Sequence, residues 1–249
     1  MRSLELLAEV HRLLEPERYL EIGVRRGNSL ALARGQAVGI DPRYSIEAEL
    51  HCQVALFRTT SDDYFSQPDP LAPTGGRPFD LAFIDGLHLF EFVLRDLINA
   101  ERFTSPRGVI ILHDVMPRNV DEAARVKHTR MWTGDAYQII AVLRTYRPDL
   151  AVVPIGTQPT GLLLLAGLDP SNTVLADRYD QIVSEFRATD PQPVPADLLD
   201  RFDAQPPAHV LGSGLWDVLR SAAESDGPAA IQEQVAARLA VELGPVYAR

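Results

Sequence analysis

Two short stretches of the 249-residue sequence bring acid–base groups together: Asp85-Gly86-Leu87-His88 and His113-Asp114. An imidazole with its ordinary pKa of about 6.5 exchanges a proton near neutrality and can act as a general base. A divalent cation held beside such groups lowers the pKa of a bound hydroxyl and orients it. Each residue also has a plain structural use: Asp85 orienting a loop, His88 capping the next helix, His113 satisfied in the interior. For a lone histidine the structural use usually wins. Two histidines and two aspartates converging at adjacent strand ends are harder to dismiss.

An alternation of short apolar strands and amphipathic helices must position these groups. Leu4, Leu6, Leu7, Val10, Leu13 and Leu14 recur at helical spacing, predicting a helix that ends near Pro16. Strands are expected at 19–24, 37–41, 54–58, 79–84 and 108–112. Helices are expected at 30–34, closed by Gly35, in a short piece from Thr60, at 89–103 and at 134–146. Two closing strands, 151–155 and 161–166, suit an antiparallel edge. The pattern is α/β: a Rossmann-like, doubly wound, mostly parallel seven-stranded sheet with helices on both faces. In such sheets ligands sit beyond the carboxyl ends of the strands, where Asp85, His113 and Asp114 fall. Residues 117–133 show no period and read as an exposed loop or lid.

The chain divides into a catalytic domain, 1–168, and a helical appendage, 169–249, that caps it or packs against another subunit. Within the appendage, helices are expected at 171–187, 215–223 and 229–243, around a proline-rich connector at 190–207. The appendage holds 13 acidic and 6 basic residues, so much of the overall net charge of −10 lies there. That balance argues against nucleic acid and anionic membrane as partners. The single cysteine, Cys52, precludes an intrachain disulfide and fits a reducing, cytoplasmic setting. No signal-peptide pattern opens the sequence, and the longest apolar run, 162–168, is far short of the roughly 20 residues that span a bilayer.

Glu21-Ile-Gly23-Val-Arg-Arg-Gly27-Asn28-Ser29 lies between a strand and a helix, where glycines let a ligand approach the backbone. Arg25 stands where a dinucleotide-binding loop needs a second glycine. Asp41, at the end of the next strand, suits both hydroxyls of a ribose or, equally, a turn before Pro42. Thr60-Ser61-Asp62 suits an adenine edge or a helix N-cap.

In this order and spacing, E-x-G-x-x-x-G-x-S, G-I-D, T-S-D, F-I-D-G-x-H and G-V-I-I-L-H-D-V resemble the class I S-adenosylmethionine-dependent methyltransferases. The branch most resembled holds catechol O-methyltransferase and the macrocin-type sugar O-methyltransferases, over about residues 16–168. The resemblance implies S-adenosyl-L-methionine as cofactor, with methionine over Gly23 and Gly27, ribose on Asp41 and adenine near Ser61 and Asp62. Glu21 would face the cofactor's amino group. Ser29 and Asp85 complete the expected cofactor set, and His88 falls at the general-base position. Asp85, His113 and Asp114 fall at the family's metal positions, but His113 replaces a carboxylate and matches magnesium poorly.

Three readings of that trio stand side by side: magnesium or manganese held mainly by Asp85 and Asp114, a softer metal, or no metal with His113 as a second base. The implied reaction is O-methylation of a hydroxylated small molecule, of sugar or natural-product type. Trp132-Thr133-Gly134-Asp135 is also similar to the branch, and Asp135 is a candidate contact for acceptor hydroxyls or a helix-terminal carboxylate. Three rivals stand beside this function: an NAD-type oxidoreductase, a hydroxylase on the same fold and a noncatalytic scaffold. Helical packing in 169–249 offers a route to a homo-oligomer.

Overall fold

The computed structural model describes residues 1–223 and 225–247; Glu224, Ala248 and Arg249 of the expected appendage lie outside them. One sheet organises the chain, in the order β3-β2-β1-β4-β5-β7-β6. Its strands are β1 (Arg18–Ile22), β2 (Gln36–Ile40), β3 (Gln53–Phe57), β4 (Phe79–Ile84), β5 (Thr104–His113), β6 (Ala151–Ile155) and β7 (Leu162–Ala166). The first five are parallel, and β7 runs antiparallel to both β5 and β6. The expected closing pair is thus present. Buried from both sides, β7 reads as four leucines and an alanine rather than as an alternating strand.

One face of the sheet carries α2 (Ser61–Phe65), α3 (Phe90–Arg102), α4 (Gln138–Tyr146), α5 (Val174–Asp177) and α6 (Tyr179–Phe186), around a core including Leu20, Ile84, Ile110, Leu163 and Ile182. The other face is covered by α1 (Ser3–Leu14) and by the end of the chain. There, after the short α7 (Ala196–Leu199), come α8 (Pro207–Leu211), α9 (Leu215–Ser221) and α10 (Pro228–Glu242). Trp216, Leu219, Ile231, Val235 and Leu239 pack with Val109, Ile111, Val153 and Leu164 of the sheet. The reason lies upstream. The β1–β2 link contains only a 3-10 turn, Leu30–Leu32, so little of this face is covered locally.

That turn corrects the helix expected over 30–34. Gly35 does not cap it: a Cβ there would collide with the backbone carbonyl of Glu17, so the glycine permits close chain packing. Strand β5 begins at Thr104, four residues earlier than expected, and takes in His113 as its last residue. Residues 117–133 lack regular structure, as anticipated, yet are not simply exposed. Glu122, Ala123 and Ala124 are buried, and the Glu122 carbonyl accepts the amides of Thr133 and Gly134. Among the described residues no helix is long and apolar enough to cross a membrane.

Candidate active site

Strand register sets the site. Ile22 pairs with Ile40 and with Ile84, Ile40 with Phe57, and Ile84 with Leu112. The next residues, Gly23, Asp41, Asp85 and His113, therefore stand level along the carboxyl rim. The chain turns away from β1 in both directions here, with β2 on one side and β4 on the other, which opens a ligand crevice between their loops.

Gly23 has φ +91°, and a Cβ on it would collide with the Asp85 carbonyl, so this crossing admits only glycine. Gly27 is also left-handed, at φ +81°. Arg25 takes φ +51° without being a glycine, and its amide donates to Asp41 Oδ2 at 2.7 Å. The amide of Arg43 donates to Asp41 Oδ1 at 2.6 Å. Asp41 thus holds the glycine turn and its own turn together, while each oxygen keeps a lone pair for a ligand.

Glu21 is fully buried on β1. Tyr19 Oη donates to its Oε2 and Ser29 Oγ to its Oε1, both at 2.8 Å. Burial pushes its pKa up to about 8; the two hydrogen bonds oppose that shift, and the negative charges of Asp85 and Asp41 add to it. Ser61 begins α2 behind the N-cap Thr60 and donates to Asp96 Oδ1. Asp62 is held by Arg95, with Nε to Oδ1 at 3.0 Å and Nη2 to Oδ2 at 2.9 Å, so its carboxylate is committed to an ion pair.

The structure brings the four expected reaction-centre residues together. His113 Nδ1 lies 2.9 Å from Asp85 Oδ1 and 3.5 Å from Asp114 Oδ1. His88 Nε2 is 3.5 Å from both Asp85 Oδ1 and Asp114 Oδ2. Asp114 sits in the left-handed region at φ +55°, a strained conformation that aims its side chain back at the cluster. Thr160, which the sequence reading missed, donates its hydroxyl to Asp114 Oδ1.

Burial alone would neutralise His113, but the charge and hydrogen bond of Asp85, helped by Asp114, raise its pKa to about 9. Burial likewise opposes the charge on Asp85. His113, with His88 and Arg25, nevertheless holds that carboxyl below its ordinary value. One donor atom each from Asp85, His113 and Asp114 lies within 4.8 Å of the others, a span that admits a single cation. Two carboxylates and one imidazole suit manganese or a softer ion better than magnesium.

The neighbouring residues expected to contact an acceptor are mostly committed to structure. Asp135 Oδ1 accepts the Phe90 amide at 2.8 Å and so caps α3; its other oxygen is bound by Arg125, which also reaches Glu91 at 2.6 Å. Trp132 donates to the Ala124 carbonyl at 2.6 Å and presents its ring edge-on to His88, with centroids 5.6 Å apart. Gly134, at φ +53°, lets the backbone pass against the His88 carbonyl. Lys127 lies 5.5 Å from the Trp132 ring, and His128 faces outward. A separate cavity of about 340 Å³ between α4 and residues 195–204 touches Met116 and Tyr137, but none of the four clustered groups lines it.

Residues 20–115 match a family described as a methyltransferase domain. No curated protein matches the sequence. Solved structures of similar fold include the O-methyltransferase TomG of Streptomyces achromogenes, involved in tomaymycin synthesis and bound to S-adenosylmethionine. It is 19% identical, with a TM-score of 0.48 over 66% of this chain and 78% of that one. An O-methyltransferase of Bacillus cereus with S-adenosylhomocysteine is 18% identical, with a TM-score of 0.45 over 66% and 79%. The Podospora anserina methyltransferase PaMTH1, with the same product bound, is 16% identical, with a TM-score of 0.46 over 66% and 77%. The sheet order and the glycine turn at its switch point accord with that match to a methyltransferase domain over residues 20–115.

Proposed function

We propose that this enzyme methylates a hydroxyl oxygen of a small molecule, of sugar or natural-product type, with His88 as general base and a divalent cation assisting at Asp85, His113 and Asp114. The observation that carries the reading is the convergence of those four groups on the rim beside the glycine turn. Gly23, Gly27 and Ser29 bound the methionine end of the cofactor, Asp41 the ribose, and Ser61 and Asp62 the adenine side. Of the last two, Ser61 is the better placed, because Asp62 is spent on Arg95.

Glu21 supports a cationic ligand directly. A buried carboxylate with no cation beside it is costly, and the sulfonium and ammonium charges of S-adenosylmethionine offset that cost. His88 takes the acceptor proton at its ring nitrogen as the methyl group moves in line, and Trp132 fixes the plane of its ring. A cation on Asp85, His113 and Asp114 would supply Lewis-acid lowering of the acceptor hydroxyl's pKa. His113 must give up its proton to bind it, which the pull of Asp85 resists, and the charged imidazole is then a poor second base. The reading places the enzyme in the cytoplasm, with no nucleic-acid or membrane partner.

Titration with S-adenosylhomocysteine, followed by its release from S-adenosylmethionine on adding hydroxylated acceptors with manganese or with chelator, tests the proposal. Binding of the nucleoside and acceptor-dependent release support it. Absence of nucleoside binding rejects it, and full activity in chelator removes the cation alone.

A further inference from the structure

A Schellman turn closes the short α7: the Phe202 amide donates to the Asp197 carbonyl at 2.9 Å and the Arg201 amide to the Leu198 carbonyl at 3.1 Å. The left-handed residue of such a turn is usually glycine, yet here Arg201 takes φ +55°. Its side chain is half-buried and forms no ion pair among the described residues. Burial and the charge of Arg118 hold its pKa below the ordinary value, against the pull of Glu122. An arginine with both a strained backbone and a disfavoured charge needs a reason. Its only side-chain partners are two carbonyls of the β6–β7 link, residues 156–161: Nη1 donates to Thr157 at 2.9 Å and Nη2 to Pro159.

That link carries Thr160, 1% exposed, whose hydroxyl donates to Asp114 Oδ1. The Pro159 carbonyl shares one rigid plane with the Thr160 amide, and the Thr160 carbonyl accepts the Met116 amide at 2.8 Å. The peptide planes on both sides of the Thr160 Cα are therefore held, one by Arg201 and one by Met116, and this fixes where the hydroxyl points. Asp114, left-handed at φ +55°, keeps that conformation only where its surroundings enforce it. Other ties on the link, from the Gly156 amide to Gln205 and from the Gln158 amide to Met1, both at 3.0 Å, do not touch the Pro159 carbonyl.

We propose that Arg201 is a positioning residue for the reaction centre: reaching in from the appendage, it orients the Thr160 hydroxyl that holds Asp114 in the cluster. The inference rests on the reading of Asp85, His113 and Asp114 as a cation site. A double-mutant cycle of Arg201→Gln and Thr160→Val in the full chain tests it, read by calorimetry of manganese(II) binding and by NMR hydrogen exchange of the Met116 amide. Arg201→Gln should weaken manganese binding by about tenfold and speed Met116 exchange by about the same factor. Arg201→Lys, whose ammonium still offers donors to both carbonyls, should restore most of each. With Thr160→Val already in place, Arg201→Gln should change manganese affinity by less than about twofold, whereas a residue that merely supports the fold would weaken it equally in either background. Equal losses in the two backgrounds, or no loss in Arg201→Gln, overturn the proposal. Failure of the native protein to bind manganese overturns the cation reading, and Met116 exchange then decides the role of Arg201: faster exchange in Arg201→Gln sustains it and unchanged exchange overturns it.

Discussion

The ionic clusters at the opposite ends of β5 are built differently. At the amino end, Arg147 is 1% exposed and fully engaged. Its Nη2 meets Glu101 at 2.9 Å and Asp149 at 2.7 Å, and its Nε meets Asp149 at 2.9 Å. Gln232 of α10 joins through Asp149 at 3.2 Å and the Gly167 carbonyl at 3.0 Å, tying the end of the chain to the sheet. At the carboxyl end, three of the four ion-pair contacts among Asp85, His88, His113 and Asp114 are 3.5 Å long, and Asp114 carries a strained backbone. Short, bidentate, saturated pairing describes a group of charges whose work is to hold elements together. Long contacts among groups that titrate, on an open rim, leave capacity for a ligand.

If that contrast is sound, activity and stability should separate when each cluster is cut. His88→Ala should lower turnover by about 10²- to 10⁴-fold, the usual contribution of a general base, while the melting temperature holds. An equal loss of both would place His88 with the structural cluster. Arg147→Ala should do the reverse, costing about 3–5 kcal/mol of unfolding free energy by stranding the Glu101 and Asp149 charges. Urea denaturation measures this, and nucleoside affinity of the folded fraction should be unchanged.

Smaller effects sharpen the picture. Glu21 holds its proton to about pH 8 in the free protein, and a cationic cofactor favours the ionised form, so binding near pH 7 should release a proton. Calorimetry in buffers of different ionisation enthalpy detects that release, and Glu21→Gln should abolish it. Thr160→Val removes one hydrogen bond to a charged Asp114, worth about 1.5–3 kcal/mol, and should appear as weaker metal or acceptor binding rather than as lost fold.

A further effect is one of pH. His113 rises from 6.5 to about 9 on folding, so its charge stabilises fully below about pH 6.5 and that stability is lost as pH passes about 9. Asp85 is lowered, so its contribution is lost only on acidification. Thermal melts of the native protein should therefore fall between pH 7 and 10 by more than those of His113→Gln.

The sequence determined what is local or periodic. Tyr19, Leu20 and Ile22 before Gly23 and the four apolar residues before Asp85 announce buried strands, and the alternation with helices announces a parallel sheet, whose carboxyl rim must carry the residues that follow. Asp85, His88, His113 and Asp114 were legible because they follow or end strands in a short span. Asp96 left a faint trace, an acid among the apolar positions of α3 between Val93 and Ala100, but nothing in the sequence named Ser61 as its partner.

Only tertiary structure decided that Asp135 caps a helix forty-five residues earlier in the chain, and that Asp62 is spent on Arg95. It also decided that Thr160 steadies Asp114, and that the last helices cover a face left bare by the shortened β1–β2 link. Strand and helix periods arise from backbone geometry within a few residues. Which carboxylate meets which donor depends on how distant segments stack, because a buried charge takes whichever partner the packing delivers.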